Sequence, residues 1–166
     1  YDLSNPKSYT EGRHYATRIA SLLSLFKYQK IKPHIVLSDA VVNETRIKNA
    51  GRQETKMSVT RCTYLMSEVK YIKTVLNETY GLNTVFHPHC GSFIETPREI
   101  EKLLELTDID LVFDTGHFIL GSRNRYDIID FLNKYKNRIY TYHFKDCSEE
   151  ILNNLNDSNY FNLVTR

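Results

Sequence analysis

Three short apolar runs in this sequence each end on a polar cluster able to ligate a metal or move a proton. The clusters are His87-Pro88-His89, Asp114-Thr115-Gly116-His117 and His143-Phe144-Lys145-Asp146. Imidazoles and carboxylates bind divalent cations and exchange protons near neutral pH. Asp114 and His143 together offer a carboxylate and an imidazole to an ion such as Mn²⁺, Co²⁺, Mg²⁺ or Zn²⁺. The plainer alternative is a pair of buried, hydrogen-bonded polar residues. Glu95, on the loop after His89, is either a second carboxylate ligand or a helix-entry charge at the positive end of a helix dipole. His87 and His89 are two positions apart, so on a strand they share a face. His117 lies three residues beyond Asp114, within reach of the same ion or its ligand. Lys145, two residues past His143, points the same way as that histidine, and Asp146 the other way. Arg52, in Ala50-Gly51-Arg52, could reach over the mouth of such a site or remain a solvated loop residue.

The elements that must position these groups follow from pattern. Asn83 to Phe86, Leu111 to Phe113 and Arg138 to Tyr142 are short and rich in β-branched or aromatic residues, and read as buried strands. Ile35-Val36-Leu37, after Pro33, is a fourth. Lys7 to Tyr28 reads as a helix, with Ala16, Ile19, Ala20, Leu23 and Phe26 on one stripe. Ser58 to Tyr80 repeats the pattern through Val59, Cys62, Leu65, Met66, Val69, Ile72, Val75 and Leu76, with Gly81 as the stop. Thr96, Pro97 and Glu99 form a capping-box signature for a helix through Ile100, Leu103, Leu104 and Leu106. A loop from Asp114 through Gly121 and a helix over Tyr126 to Lys136 lead to the last strand. Asn43 to Lys56 reads as a long polar loop, and the final twenty residues as a short helix fading out.

The order is a helix, then β-α four times, with 29 positions between Asp114 and His143. That pitch predicts an α/β fold with parallel strands. No glycine-rich phosphate loop follows any strand, which disfavours a dinucleotide-binding sheet and favours part of a (βα)8 barrel. A whole barrel takes about 250 residues. The expectation for residues 1–166 is one domain, an incomplete barrel of about four βα units preceded by a helix.

Composition bounds the partners. The 166 residues are 41% hydrophobic and carry a formal net charge of +2, with no basic cluster, so a nucleic-acid partner is not expected. No apolar run approaches the roughly 20 residues that cross a membrane, so none is expected as a partner. Three cysteines without metal-knuckle spacing, and no leader-like segment, suggest a reducing, cytoplasmic setting. Cys90, beside His89, is read as a small strand-end residue rather than a nucleophile.

The run His87-Pro88-His89-Cys90-Gly91-Ser92-Phe93-Ile94-Glu95-Thr96, then Asp114-Thr115-Gly116-His117, then Arg138-Ile139-x-x-x-His143-x-Lys145-Asp146, resembles the inosose dehydratase family of xylose isomerase-like TIM barrels, the sugar phosphate isomerase/epimerase superfamily. Leu37-Ser38-Asp39-Ala40 and Asn49-Ala50-Gly51-Arg52 are similar to the preceding strand and loop of that family. The resemblance runs from about Ile35 to Glu150 and implies that the four strands are the fourth to seventh of eight. It implies a divalent metal, Mn or Co before Mg or Zn, and a polyol or keto-sugar bound on it. Position by position, it makes Asp114 and His143 metal ligands and His117 substrate-facing. An earlier metal-binding Glu of the superfamily falls near His87 or His89, and Glu95 is the choice for that ligand. The final metal-binding Glu lies on an eighth strand that this chain does not contain.

The chemistry implied is dehydration of a keto-polyol such as an inosose (2-keto-myo-inositol) through an enediolate. His87 or His89 would be the base, His117 or Lys145 the acid, and Arg52 a substrate contact. Sugar isomerisation or epimerisation shares the early steps. A truncated, non-catalytic barrel and a homo-oligomer are the other expectations this chain raises.

Overall fold

The computed structural model describes residues 6–26, 28–31, 33–39, 58–122 and 126–154. Helix α1 (Pro6–Leu23) runs into a 3-10 turn (Ser24–Phe26) and strand β1 (His34–Leu37). Then come α2 (Val59–Tyr80), β2 (Asn83–Phe86), α3 (Pro97–Leu106) and β3 (Asp110–Asp114). Helices α4 (Thr115–Ser122) and α5 (Tyr126–Tyr135), a 3-10 turn (Lys136–Arg138), β4 (Ile139–His143) and α6 (Glu149–Asn153) complete the order. All strand pairings are parallel, in the order β1-β2-β3-β4. The described sheet does not close on itself, so the architecture is an α/β partial barrel. It is nevertheless curled, because the rings of His34 on β1 and Tyr140 on β4 come within 5.0 Å across three strand intervals.

Local sequence accounts for the element ends. Ser58 caps α2 by accepting the Arg61 N–H at 3.2 Å, and Gly81 closes it in the left-handed region with φ of 64°. Glu99 accepts the N–H groups of Thr96 and Glu95 at the start of α3, the carboxylate half of a capping box. Two apolar layers then hold the helices to the sheet. Cys62, Leu65, Met66 and Val69 of α2 pack with Phe86, Ile100, Leu103, Leu111, Phe113, Phe118 and Phe131. Ala16 and Ala20 of α1 pack with Ile35, Ile72, Leu76 and Leu82. Arg13 and the buried Glu68 form a paired fork between α1 and α2.

The expected helices and strands are present with boundaries shifted by a few residues, and one expectation is overturned. The segment after Asp114, read as a loop through Gly121, is helix α4. Its two glycines look like loop punctuation but serve close approach instead. A Cβ at Gly121 would lie 2.6 Å from the Glu95 carbonyl oxygen, and one at Gly116 would lie 2.9 Å from the Lys145 Cβ. The strand before His87 also stops at Phe86, so His87 and His89 lie just beyond it. Arg52 and the loop around it lie outside the described residues, as does the chain after residue 154. Among the described residues, no helix is long and apolar enough to cross a membrane.

Candidate metal and proton-transfer site at the strand ends

The carboxyl ends of β2, β3 and β4 bring three side chains to one point. His87, Asp114 and His143 each offer a ligand atom, and these atoms lie within 4.8 Å of one another. Asp114 is the hub. Its Oδ1 accepts the His117 N–H at 3.0 Å, which caps the first turn of α4. Its Oδ2 faces the His87 Nε2 at 3.6 Å, the His143 Nδ1 at 3.5 Å, the His117 Nε2 at 4.0 Å and the Lys145 Nζ at 2.8 Å. One oxygen organises the helix and the other points into the site, where its side chain is wholly buried.

The register of β4 decides whether His143 can join. Leu111 pairs with Ile139, but Val112 pairs with Thr141, so Tyr140 is an extra residue on β4. Beyond that bulge Asp114 stands opposite His143. Side chains alternate along a strand, so were Tyr140 paired with Val112 instead of bulged out, Tyr142 would oppose Asp114 and His143 would turn to the other face.

The His87–Glu95 segment is pinned by the end of β1. The His87 N–H donates to the Leu37 carbonyl at 2.8 Å, and Ser38 Oγ donates to the His87 carbonyl at 3.1 Å. The buried Asp39 accepts the Phe93 N–H at 2.6 Å. Ser92 Oγ bonds the carbonyls of His89 and Ile94, tightening the turn between them. In the sequence Ser38 and Asp39 stand out only as part of the Leu37-Ser38-Asp39-Ala40 resemblance. Their supporting role needs the neighbouring strand in place before it can be seen.

Four imidazoles surround Asp114. His87 lies 5.7 Å from His89, 5.3 Å from His117 and 5.3 Å from His143 between ring centroids, and His89 and His117 are 3.9 Å apart. His89 Nδ1 sits 2.8 Å from the Cys90 carbonyl, a contact only an N–H can make, which leaves Nε2 as the basic nitrogen. Burial lowers the His89 pKa below its ordinary value, with the Cys90 bond opposing. Burial, then the neighbouring His89, lowers His117 to about 3 against the pull of Asp114. At Asp114 burial pushes upward, but the His87 imidazole, the Lys145 ammonium and the His117 N–H outweigh it and hold the carboxyl below the carboxylate range.

The donor set suits a divalent cation. Two imidazoles and a carboxylate form a three-ligand group that leaves positions open for substrate oxygens. His87 Nε2 is buried and makes no hydrogen bond, with Asp114 Oδ2 at 3.6 Å, beyond hydrogen-bonding range. A ring nitrogen held that way fits a ligand atom better than a structural donor. Glu95 is buried and lines a small cavity with Asp114, His117 and Phe118, but it is not in the three-residue group. His89, His117 and Lys145 border the group, and Arg52 lies outside the described residues.

No family model matches the chain. It is similar to several curated proteins named inosose dehydratase. It is 35% identical over 121 residues to that of Clostridium beijerinckii, covering 68% of this chain and 40% of the relative. It is 40% identical over 75 residues to that of Geobacillus kaustophilus, covering 43% of this chain and 23% of the relative. It is 38% identical over 86 residues to that of Mesomycoplasma hyopneumoniae strain J, covering 50% and 28%. The chain spans two fifths or less of the length of these relatives.

Proposed function

We propose that this chain carries the strand-end machinery of a metal-dependent dehydratase acting on a keto-polyol such as an inosose. The observation that supports this reading most is the convergence of His87, Asp114 and His143 on one point, bordered by His89, His117 and Lys145. The names of the similar proteins supply the substrate class.

His87, Asp114 and His143 would hold the cation, with Mn²⁺ or Co²⁺ the first to test and Mg²⁺ or Zn²⁺ the alternatives. A divalent cation bound beside a ketone and its neighbouring hydroxyl withdraws charge and acidifies the adjacent C–H. His89 Nε2 takes that proton, since its Nδ1 is committed to the Cys90 carbonyl. Lys145 delivers a proton to the departing hydroxyl, while burial keeps the His117 ring neutral, 3.5 Å from the lysine ammonium. One C–H and one C–O bond break, a C=C bond forms, and the hydroxyl leaves as water. Asp114 keeps the ammonium of Lys145 and the ring of His117 on the same side of the site. Arg52 is proposed as a substrate contact.

The test is turnover of an inosose by this chain and by any longer polypeptide containing it, with chelator and with each metal restored. Metal-dependent loss of water from the substrate is the expected result. Turnover indifferent to chelation, or unaffected by Asp114→Ala and His143→Ala, would overturn the assignment. A product of unchanged mass would redirect it to isomerisation or epimerisation.

A further inference from the structure

We infer that Thr115 and Gly116 are positioning residues that seat Lys145 against Asp114 and His117. The β3–β4 ladder ends at the pair Asp114–His143, so Lys145 lies two residues past the last paired position. One hydroxyl takes over there. Thr115 Oγ1 accepts the Lys145 N–H at 2.8 Å and donates to the Lys145 carbonyl at 2.7 Å. Both backbone polar groups of Lys145 are thus held by a single side chain, and a hydroxyl has one donor and two acceptor sites with which to do it.

Gly116 supplies the space. A Cβ at that position would lie 2.9 Å from the Lys145 Cβ, 3.2 Å from its Cδ and 3.4 Å from Asp114 Oδ1. Any side chain there would push the lysine stem off the helix start. The seat matters because the Lys145 side chain is 51% exposed and carries the rotamer freedom of a four-carbon stem. Left alone, such an ammonium spreads through solvent. Anchored at both backbone groups and along its stem, it is delivered 2.8 Å from Asp114 Oδ2 and 3.5 Å from His117 Nε2. The consequence for catalysis rests on the role proposed above for Lys145, whereas the seat itself is a property of these contacts.

Three variants of the full chain test it: Thr115→Val, which removes the hydroxyl at nearly constant shape, Thr115→Ser, which keeps it, and Gly116→Ala. The readout is acetylation of Lys145 by a limiting amine reagent, quantified by peptide mass spectrometry, with Lys73 and Lys134 as internal references. Labelling of Lys145 alone should rise about threefold to tenfold in Thr115→Val, the scale of one hydrogen bond, and similarly in Gly116→Ala. Thr115→Ser should stay within about twofold of the parent. Should Thr115→Val fail to fold, Gly116→Ala decides, because it retains the hydroxyl. Unchanged labelling in both variants, a rise shared by Lys73 and Lys134, or no rescue by serine would overturn the seat. The readout needs no turnover, so a failed seat and a failed dehydratase reading are distinguishable. Where turnover is measurable, Thr115→Val should lower kcat and leave KM unchanged.

Discussion

At the scale of single residues, Asp114 serves two purposes that pull in different directions. As a helix cap it needs an acceptor at Oδ1, and as a site carboxylate it needs charge at Oδ2. Asp114→Asn should therefore keep α4 but weaken Co²⁺ binding by about 100-fold, read from the visible absorption of a Co²⁺ titration. Equal affinity in the variant would remove Asp114 from the donor set. A second prediction concerns acid. In chelated protein His117 titrates at about 3 rather than 6.5, so below 6.5 the unfolded chain binds a proton that the folded chain refuses. Its contribution to stability is complete above 6.5 and is lost as pH falls toward 3. The depressed Asp114 carboxyl acts the same way, its share lost as pH falls below 3.8. Urea midpoints should drop on acidification, and His117→Gln should flatten the slope by about 1.4 kcal/mol per pH unit across that window. An identical slope in the variant would contradict the burial argument.

Among the elements, β4 and α4 are the two whose details control the site. The bulge at Tyr140 sets which face His143 occupies. Deleting Tyr140 takes out the unpaired residue and leaves Asp114 opposite His143, so Co²⁺ binding should be retained. Inserting one alanine between Thr141 and Tyr142 should instead bring Tyr142 opposite Asp114 and remove binding as completely as His143→Ala does, with the circular dichroism of the sheet and helices retained. Loss of binding on the deletion, or retained binding on the insertion, would mean that β4 reaches its register some other way. Helix α4 passes so near the Glu95 backbone that only hydrogen fits at position 121. Gly121→Ala should cost about 1–3 kcal/mol in urea unfolding, the usual penalty of overpacking against backbone that cannot move aside.

On the scale of the whole molecule, the described sheet has two strands without an outer neighbour, β1 and β4. Both present apolar surface. Tyr15 and Ile19 of α1 and Val36 of β1 line an open groove, and Tyr142 stacks on the exposed Phe144 at 5.6 Å on the other side. Parallel sheets are normally covered on both faces, and bare edges recruit other strands. The 166-residue chain by itself should self-associate, seen as concentration-dependent mass in light scattering. A monodisperse monomer across the micromolar range would show that these edges are protected.

The sequence by itself determined the order of elements, because periodicity and capping are local: Ser58 and Gly81 bound α2, and Thr96 to Glu99 open α3. It also marked Asp114, His117, His143 and Lys145, since polar groups ending apolar runs stand out without any three-dimensional knowledge. It misread α4 as a loop, because glycines demanded by the Glu95 backbone and the Lys145 stem look in sequence like glycines demanded by a turn. The tertiary structure alone decided that His87 joins Asp114 and His143, while Glu95 lies in the cavity beside them. It alone revealed the Thr115 clamp on Lys145, thirty positions away. Those outcomes depend on strand register and on a single bulged residue, and register is fixed by long-range pairing that no local window of sequence contains.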